Sequence, residues 1–258
     1  MRFFRWCAVG LVMVLTVAAC GGSGPTATPI PLPDAQSLLT KAAAEVQAAK
    51  SIKIKLELTG APSYVDDKKL VSFVSANGFY VSPDKLSATV TVKIGSIPGQ
   101  VDVVAIGDDQ WMNNALLTAG HWAKAVFSPG FNAGKLVSSE EGINSAISSL
   151  KDPKLMGREN VFGTDMYHVA GISDGASMAA LTVGLIRGKV VNVDIYIAVE
   201  TGRVDHVVMV QPDTVTAKEK TPTTWTLELY DYNAEAKIEA PQVENATQQA
   251  TGEATAAQ

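Results

Sequence analysis

Hydrophobic and polar residues alternate along most of the chain between residues 50 and 232. From Ile52 to Leu58, isoleucine and leucine alternate with lysine and glutamate, a pattern typical of a strand with one buried and one solvated face. We expect Asn77-Gly78 to break the second strand and Glu200-Thr201-Gly202 to form a tight hairpin turn. The remaining alternating segments that predict strands are 71–81, 86–94, 101–106, 110–112, 121–127, 155–162, 165–171, 190–199, 203–211 and 223–232.

Helical spacing interrupts this alternation. Asp34 is a typical N-cap, and apolar residues recur every three or four positions over 35–49, which predicts an amphipathic first helix. Ser138 and Glu141 match the capping-box pattern, and the isoleucines that follow them predict a second helix. Asp152-Pro153 is expected to end it. A third, weaker helical pattern covers residues 174–186.

These elements predict an α+β fold with one large antiparallel sheet of about ten strands and three helices. Three helices are few to cover so wide an apolar face. A strongly curved sheet with the helices across its concave side, leaving a lipid-sized hydrophobic cavity, fits these counts. The pattern alone leaves a second possibility open, namely a solid core without any cavity.

The beginning of the chain has the features of an export signal that ends at a lipidation site. Arg2 and Arg5 precede an apolar run, Ala8–Val17, that is too short to span a bilayer comfortably. Small residues stand directly before Cys20, in the arrangement of a bacterial lipobox. We therefore expect residues 1–19 to be removed, and Cys20 to carry diacylglycerol and hold the protein at the extracytoplasmic face of the cell membrane. The alternative is an ordinary signal peptide with an incidental cysteine.

The expected mature chain has three parts. Residues 20–33 join the lipidated cysteine to a tether rich in glycine and proline, which at ~3 Å per residue could reach about 40 Å from the membrane. Residues 34–240 form the folded domain. Residues 241–258 are rich in Ala, Gln, Thr and Glu and are expected to be a disordered tail.

Charge and cysteine content exclude several classes of function. The formal net charge is −5, and the basic surface that nucleic-acid binding requires is missing from the composition. Cys7 and Cys20 are the only cysteines. The expected domain therefore has no disulfide, no cysteine nucleophile and no thiolate metal site, and must be stabilised by its core.

The sequence contains no catalytic or metal-binding motif that we recognise. His121, His168 and His206 are isolated within predicted strands and are expected to be ordinary polar strand residues. Three carboxylate pairs fall at predicted turns or helix starts, where acids cap backbone N–H groups; they are Asp66-Asp67, Asp108-Asp109 and Glu140-Glu141. Trp111 and Trp122 are expected to be core anchors, the alternative being a position at the mouth of the cavity. We therefore expect no enzyme activity, no cofactor and no metal.

Several segments, in order, resemble the LppX/LprA/LprF/LprG lipoproteins. They are Asp84–Gly95 (DKLSATVTVKIG), Val104–Met112 (VAIGDDQWM), Phe127–Gly134 (FSPGFNAG), Leu150–Gly157 (LKDPKLMG), Tyr167–Gly171 (YHVAG) and Val193–Arg203 (VDIYIAVETGR). The resemblance covers the domain from Asp34 to about Tyr232. It implies a half-barrel like that of LolA and LolB, with helices over a hydrophobic cavity. It also implies binding of an acylated lipid or glycolipid that is carried outward from the membrane, with an envelope transporter as a possible partner.

The family's function depends on cavity shape, so no catalytic residue is transferred. The alternation instead suggests cavity-lining residues, each of which could equally be plain core. The strand candidates are Leu56, Leu58, Phe73, Val90, Val92, Val103, Val193, Ile195, Ile197, Leu227 and Leu229, and the helix candidates are Met178, Leu181 and Leu185. The alternative function is a lipid-sensing or protein-docking envelope module without transport.

Overall fold

The computed structural model describes residues 32–126, 130–182, 184–186 and 188–243. The predicted signal segment, Cys20, nearly all of the tether and most of the predicted tail lie outside these residues. The described residues from Pro33 onward belong to one compact unit. Within the described ranges, no helix is both long and apolar enough to cross a membrane.

In the described part of the chain, eleven antiparallel strands form a single open sheet. The spatial order is β6-β5-β4-β3-β2-β1-β11-β10-β9-β8-β7, so β1 and β11 are central neighbours and β6 and β7 are the edges. The strands are β1 (Ser51–Thr59), β2 (Val71–Val81), β3 (Lys85–Ile94), β4 (Ile97–Ile106), β5 (Asp109–Asn113), β6 (Trp122–Lys124), β7 (Lys151–Val161), β8 (Thr164–Ser173), β9 (Val191–Ala198), β10 (Val204–Gln211) and β11 (Thr223–Tyr230).

Three helices lie on one side of the sheet, here called the inner face. They are α1 (Ala35–Ala48), α2 (Gly142–Ser148) and α3 (Gly175–Ala179). The Oδ2 atom of Asp34 accepts a hydrogen bond from the backbone N–H of Ser37 at 2.9 Å, which confirms the predicted N-cap of α1. Helix α1 packs against β10, β7 and α2 through a fully buried apolar stripe that includes Leu39, Ala42 and Val46.

The predicted break at Asn77-Gly78 is wrong, because β2 runs through both residues. Gly78 pairs with Ile54 on one side and Ala88 on the other. A Cβ atom on Gly78 would lie 3.0 Å from the Cβ of Ala88. The glycine therefore permits close packing between strands. The irregularity in the β2–β3 pairing lies instead between Phe73 and Ser75.

The predicted start of the second helix is also wrong. The backbone N–H of Glu141 does donate to Ser138 Oγ at 2.9 Å, but α2 begins only at Gly142. Gly142 has φ +76°, and a Cβ there would lie 2.2 Å from the carbonyl oxygen of Lys135. The Ser138 turn thus closes a loop ahead of the helix rather than capping it. Helix α2 ends at Ser148, and Asp152-Pro153 lies inside β7.

The third helix is much shorter than the pattern over 174–186 predicts. Asp174 caps it by accepting from the backbone N–H of Ser177 at 2.8 Å. After Ala179 the chain continues as a 3₁₀ turn, Ala180–Thr182. The hydroxyl of Thr182 then accepts from the backbone N–H of Ile186 at 3.0 Å, a local bond that replaces the next helical turn.

Candidate functional site

The inner face is filled over one half of the sheet. On β9–β11, large side chains point toward the helices and are almost fully buried, as for Ile195 and Leu229, each 1% exposed. The ring of Trp225 lies under Phe73, with ring centroids 5.2 Å apart. These residues form the main hydrophobic cluster together with α1 and α2. The inner face of this half of the sheet is therefore covered by a solid hydrophobic core.

Over β2 and β3 the inner face is lined by small residues instead. Ala76, Gly78 and Ala88 occupy inward positions where the other half of the sheet carries isoleucine, leucine or tryptophan. Gly78 pairs with Ala88, and Ala76 pairs with Val90. Because these inward side chains are short, space is left between the two strands, here called the floor, and the segments that cover them.

That space consists of two adjoining volumes, of about 300 Å³ and about 80 Å³. They share five wall residues, so we treat them as one cavity: Leu56, Ala76, Leu86, Ala88 and Phe131. The larger volume extends along β3–β5 to Val103 and Met112, and reaches Val65 in the loop between β1 and β2. Val65 is 44% exposed, so the cavity extends to a solvated loop.

The roof of the cavity comes from the connections between strands. Phe131 and Leu136 belong to the segment that follows β6, Ile143 lies on α2, and Leu181 and Leu185 lie in and after the 3₁₀ turn that follows α3. Every named roof residue is apolar. Such a roof contributes contact area and offers no hydrogen-bonding partner through its side chains.

The described lining contains no charged residue. Thr182 has the one side-chain hydroxyl among these wall residues, and its oxygen already accepts from the backbone of Ile186. A cavity lined in this way favours an apolar ligand through burial of hydrocarbon surface. Apart from the Thr182 hydroxyl, the described walls hold no acid, base or nucleophile.

The structure divides the fourteen candidate residues into two groups of seven. One group lines the cavity: Leu56, Phe73, Val90, Val103, Leu181, Leu185 and Leu227. The other lies away from its described walls: Leu58, Val92, Met178, Val193, Ile195, Ile197 and Leu229. That any of them contacts a ligand stays a prediction.

The second group lies elsewhere for identifiable reasons. Met178, the three β9 residues and Leu229 are nearly completely enclosed in the main hydrophobic cluster, which also contains residues of α1 and α2. Leu58 is partly buried against the same cluster. Val92 is half-buried near the end of β3, beside Gly99. Alternation correctly placed the four β9 and β11 residues of this group on an apolar face but could not show what lies above that face.

Several cavity residues were not anticipated. Phe131 and Leu136 lie in a segment with no regular pattern, and Met112 lies on a strand of only five residues. Ala76, Gly78 and Ala88 did carry a signal, because small residues recur at inward positions of two paired strands. Small inward residues leave a cavity only where other segments cover them, and the sequence does not show which segments do so.

Trp111 and Trp122 are core residues of the opposite, outer face. Trp111 is 8% exposed and packs with Val104 and Ile238, and Trp122 lies against the same cluster. This confirms the interpretation as core anchors, and neither residue is among the described walls of the cavity. Ile238 belongs to the segment after β11, which covers this part of the outer face.

The histidines lie outside the cavity as well. On the outer face, His168 has its two ring nitrogens 2.7 Å from Asp194 and 2.9 Å from Glu159, and its ring stacks on Tyr196. His206 Nδ1 lies 3.1 Å from Asp205, whose carboxylate raises the pKa of that histidine. His121 directly precedes β6. No group of described residues could form a metal site.

The carboxylate pairs serve local structure. Asp66 accepts backbone N–H bonds from Val71 at 2.7 Å and Leu70 at 3.0 Å, and these bonds lower its pKa. Asp108 accepts from the side-chain amide of Asn132 at 2.8 Å. Asp109 pairs with Lys124 at 2.6 Å, and Glu141 with Lys135 at 3.5 Å. These contacts position loops around β1–β2, β4–β5 and α2.

A family model described as LppX_LprAFG lipoprotein matches residues 34–238. The chain is 23% identical over 167 residues to a protein of Mycobacterium tuberculosis named lipoarabinomannan carrier protein LprG. The match covers 64% of this chain and 66% of that protein, just under two thirds of its length.

Two solved structures have the same fold. The crystal structure of LprF from Mycobacterium bovis has a TM-score of 0.61 at 13% identity, covering 82% of this chain and 98% of that one. The crystal structure of the Mycobacterium tuberculosis lipoprotein LppX has a TM-score of 0.54 at 15% identity, covering 79% and 97%. At these identities the likeness concerns the fold alone.

Proposed function

The chain belongs to the LppX_LprAFG lipoprotein family, and from that premise we propose that it binds an acylated lipid or glycolipid and carries it across the cell envelope. The observation that supports this most directly is the cavity between the small residues of β2–β3 and the apolar roof. Its described wall residues have mainly hydrocarbon side chains, and none of them is charged. An acyl chain matches this lining, and each CH₂ group removed from water contributes ~0.8 kcal/mol.

The curated relative named as a lipoarabinomannan carrier supports a cargo that combines acyl chains with a glycan. We propose that Cys20 holds this protein at the extracytoplasmic face of the membrane through its diacylglycerol. The segment between Cys20 and the cap of α1 would then keep the start of the folded domain within about 40 Å of the bilayer, at ~3.1 Å per residue. A transporter that delivers or accepts the lipid is a possible partner.

The proposed role involves no catalytic step. The described walls of the cavity contain no nucleophile, general acid or general base other than the hydroxyl of Thr182, which is engaged by the backbone N–H of Ile186. Binding and release of the lipid then depend on shape and apolar contact.

Transfer between membranes tests the proposal. The chain from residue 21 onward, which lacks the anchor, is added to donor vesicles containing a fluorescent diacyl glycolipid and to unlabelled acceptor vesicles. A transfer rate that rises in proportion to protein concentration supports a carrier. Stable binding without transfer supports the second candidate, a lipid-sensing or protein-docking module. Failure to bind any acylated lipid contradicts a carrier and a lipid sensor, and leaves the protein-docking module.

A further inference from the structure

A second pocket, polar and of about 380 Å³, adjoins the apolar cavity. It lies at the end of the sheet where β1 ends and β11 begins, since Thr59 pairs with Thr224 there. Leu185 lines both spaces. In the loop after β1, Val65 faces the cavity, while its neighbours Tyr64 and Asp66 line the polar pocket.

The buried amide of Gln211 presents an unused donor to this pocket. Gln211 is 3% exposed, and its Oε1 accepts from the indole N–H of Trp225 at 3.0 Å. An indole can only donate, so this contact fixes which end of the amide is oxygen and leaves the NH₂ group for the pocket. Within the described part of the chain, that NH₂ group donates no hydrogen bond. Because this nitrogen faces the open pocket beside Gly188, an acceptor on a ligand could bind to it there.

A carboxylate lies beside this donor. A Cβ atom on Gly188 would lie 2.9 Å from Gln211 Nε2 and 3.0 and 3.2 Å from the two carboxylate oxygens of Asp213. The donor and the acceptor therefore converge over a backbone position with no side chain to cover them. Among the described residues, Asp213 has neither an ion pair nor a side-chain hydrogen bond.

The described lining of the pocket is acidic on balance and is held in place by local bonds. Asp66, Asp67 and Asp213 supply three carboxylates to its described lining, against the single ammonium of Lys69. Asp66 is fixed by the backbone N–H groups of Val71 and Leu70. The hydroxyl of Thr214 accepts from the backbone N–H of Thr223 at 2.7 Å, which joins the loop after β10 to β11.

We infer that this pocket holds the headgroup of the lipid whose acyl chains occupy the cavity, and that it selects an uncharged, hydroxyl-rich headgroup over a phosphate. This inference rests on the proposed function. A hydroxyl accepts from Gln211 and donates to Asp213 at once. A phosphate could accept from Gln211 but would face three carboxylates, and such like-charge contact opposes binding. A cationic headgroup cannot accept from Gln211.

The test compares two lipids with identical acyl chains, diglucosyl diacylglycerol and phosphatidylglycerol, for binding to the chain from residue 21 onward. Gln211→Glu keeps the acceptor for Trp225 and removes the donor. Asp213→Asn keeps the shape and removes the charge at an exposed position. Glu219→Gln is the matched control, because it removes a carboxylate from the same loop outside the described pocket lining.

We expect the unaltered chain to prefer the glycolipid by about tenfold or more, the change that corresponds to ~1.4 kcal/mol. Gln211→Glu should weaken glycolipid binding, and Asp213→Asn should narrow the preference by admitting phosphatidylglycerol. Glu219→Gln should change neither. Equal binding of both lipids, unaffected by either pocket substitution, overturns the headgroup inference and leaves the apolar cavity as the binding site. Binding of neither lipid overturns the proposed function itself.

Discussion

Gly78 of β2 faces Ala88 of β3 so closely that a Cβ atom on the glycine would lie 3.0 Å from the Cβ of the alanine. Both residues line the smaller of the two volumes of the cavity. Across the same inner face, Ile195 and Leu229 are enclosed by the core and leave no room. The contrast between small and large inward residues on one continuous sheet therefore decides where a ligand fits.

Two valines on the inner face provide a matched comparison of the solid core and the cavity. Val193 is 1% exposed in the solid half, whereas Val90 lines the cavity. Val193→Ala should lower the free energy of unfolding by about 2 kcal/mol, because it opens a new void. Val90→Ala should cost less than ~1 kcal/mol, because the neighbouring space already exists. Guanidinium denaturation of both variants measures the difference, and equal losses would mean that the cavity is filled by side chains in solution.

The cap of α1 makes a separate contribution to stability. Asp34→Ala removes the bond to the backbone N–H of Ser37 and should cost about 1 kcal/mol. Asp34→Asn retains a side-chain oxygen and should stay close to the unaltered chain. Chemical denaturation distinguishes them. If alanine and asparagine are equally destabilising, the helix is not held by this cap.

Ile238 should protect Trp111 from water on the outer face. Because the two residues pack together, Ile238→Ser should shift tryptophan emission of the folded protein to longer wavelength. Lipid binding should be unchanged, since this cluster is on the face opposite the cavity. Val243→Ser, at a position already 40% exposed in the same segment, is the control and should leave the spectrum unaltered.

The Asp205–His206 pair predicts a dependence of stability on pH. The Asp205 carboxylate raises the pKa of His206 above its ordinary value of 6.5, and this effect outweighs burial, which acts in the opposite direction. Glu228 raises the pKa further, and Lys55 lowers it. A histidine pKa that is higher in the folded state stabilises the fold fully below pH 6.5. That contribution is lost as the pH rises through the raised pKa.

The measurement is the difference in unfolding free energy between the unaltered chain and His206→Asn, followed from about pH 5 to about pH 8. The advantage of the histidine should be largest at the acidic end and decrease toward the alkaline end. Because both chains share all other titratable groups, the contributions of those groups cancel in the difference between the two free energies. A difference that is constant with pH would contradict the assignment to His206.

Much of the fold could be predicted from local pattern, and the site only in part. Alternation from Ile52 to Leu58 identified β1 and its inward residues, because period-two burial is a local property of a strand. Val103 and Val193 show the same local pattern, yet one lines the cavity and the other is enclosed by the core. The difference depends on which helix packs above each strand. The alternation of hydrophobic and polar residues within a strand does not report which elements pack over that strand.

The polar pocket was missed for a related reason. Gln211 ends β10 and Asp213 lies in the turn directly after it, while Tyr64 and Asp66 follow β1, about 150 residues earlier in the chain. They meet because β1 and β10 both pair with β11 and leave the sheet at the same end. Strand order brings them together, and strand order could not be deduced from the spacing of residues.

The most direct test of a lipid-filled cavity is native mass spectrometry of the chain from residue 21 onward, exported by a bacterial host, with extraction of any bound lipid. Ala88→Trp places an indole in the space that Ala88 lines, while Asn77→Trp places the same group at an exposed position of the neighbouring strand. We predict one acylated lipid bound to the unaltered chain and to Asn77→Trp, and none bound to a folded Ala88→Trp. A lipid-free mass for the folded, unaltered chain, or undiminished lipid on Ala88→Trp, would contradict the account.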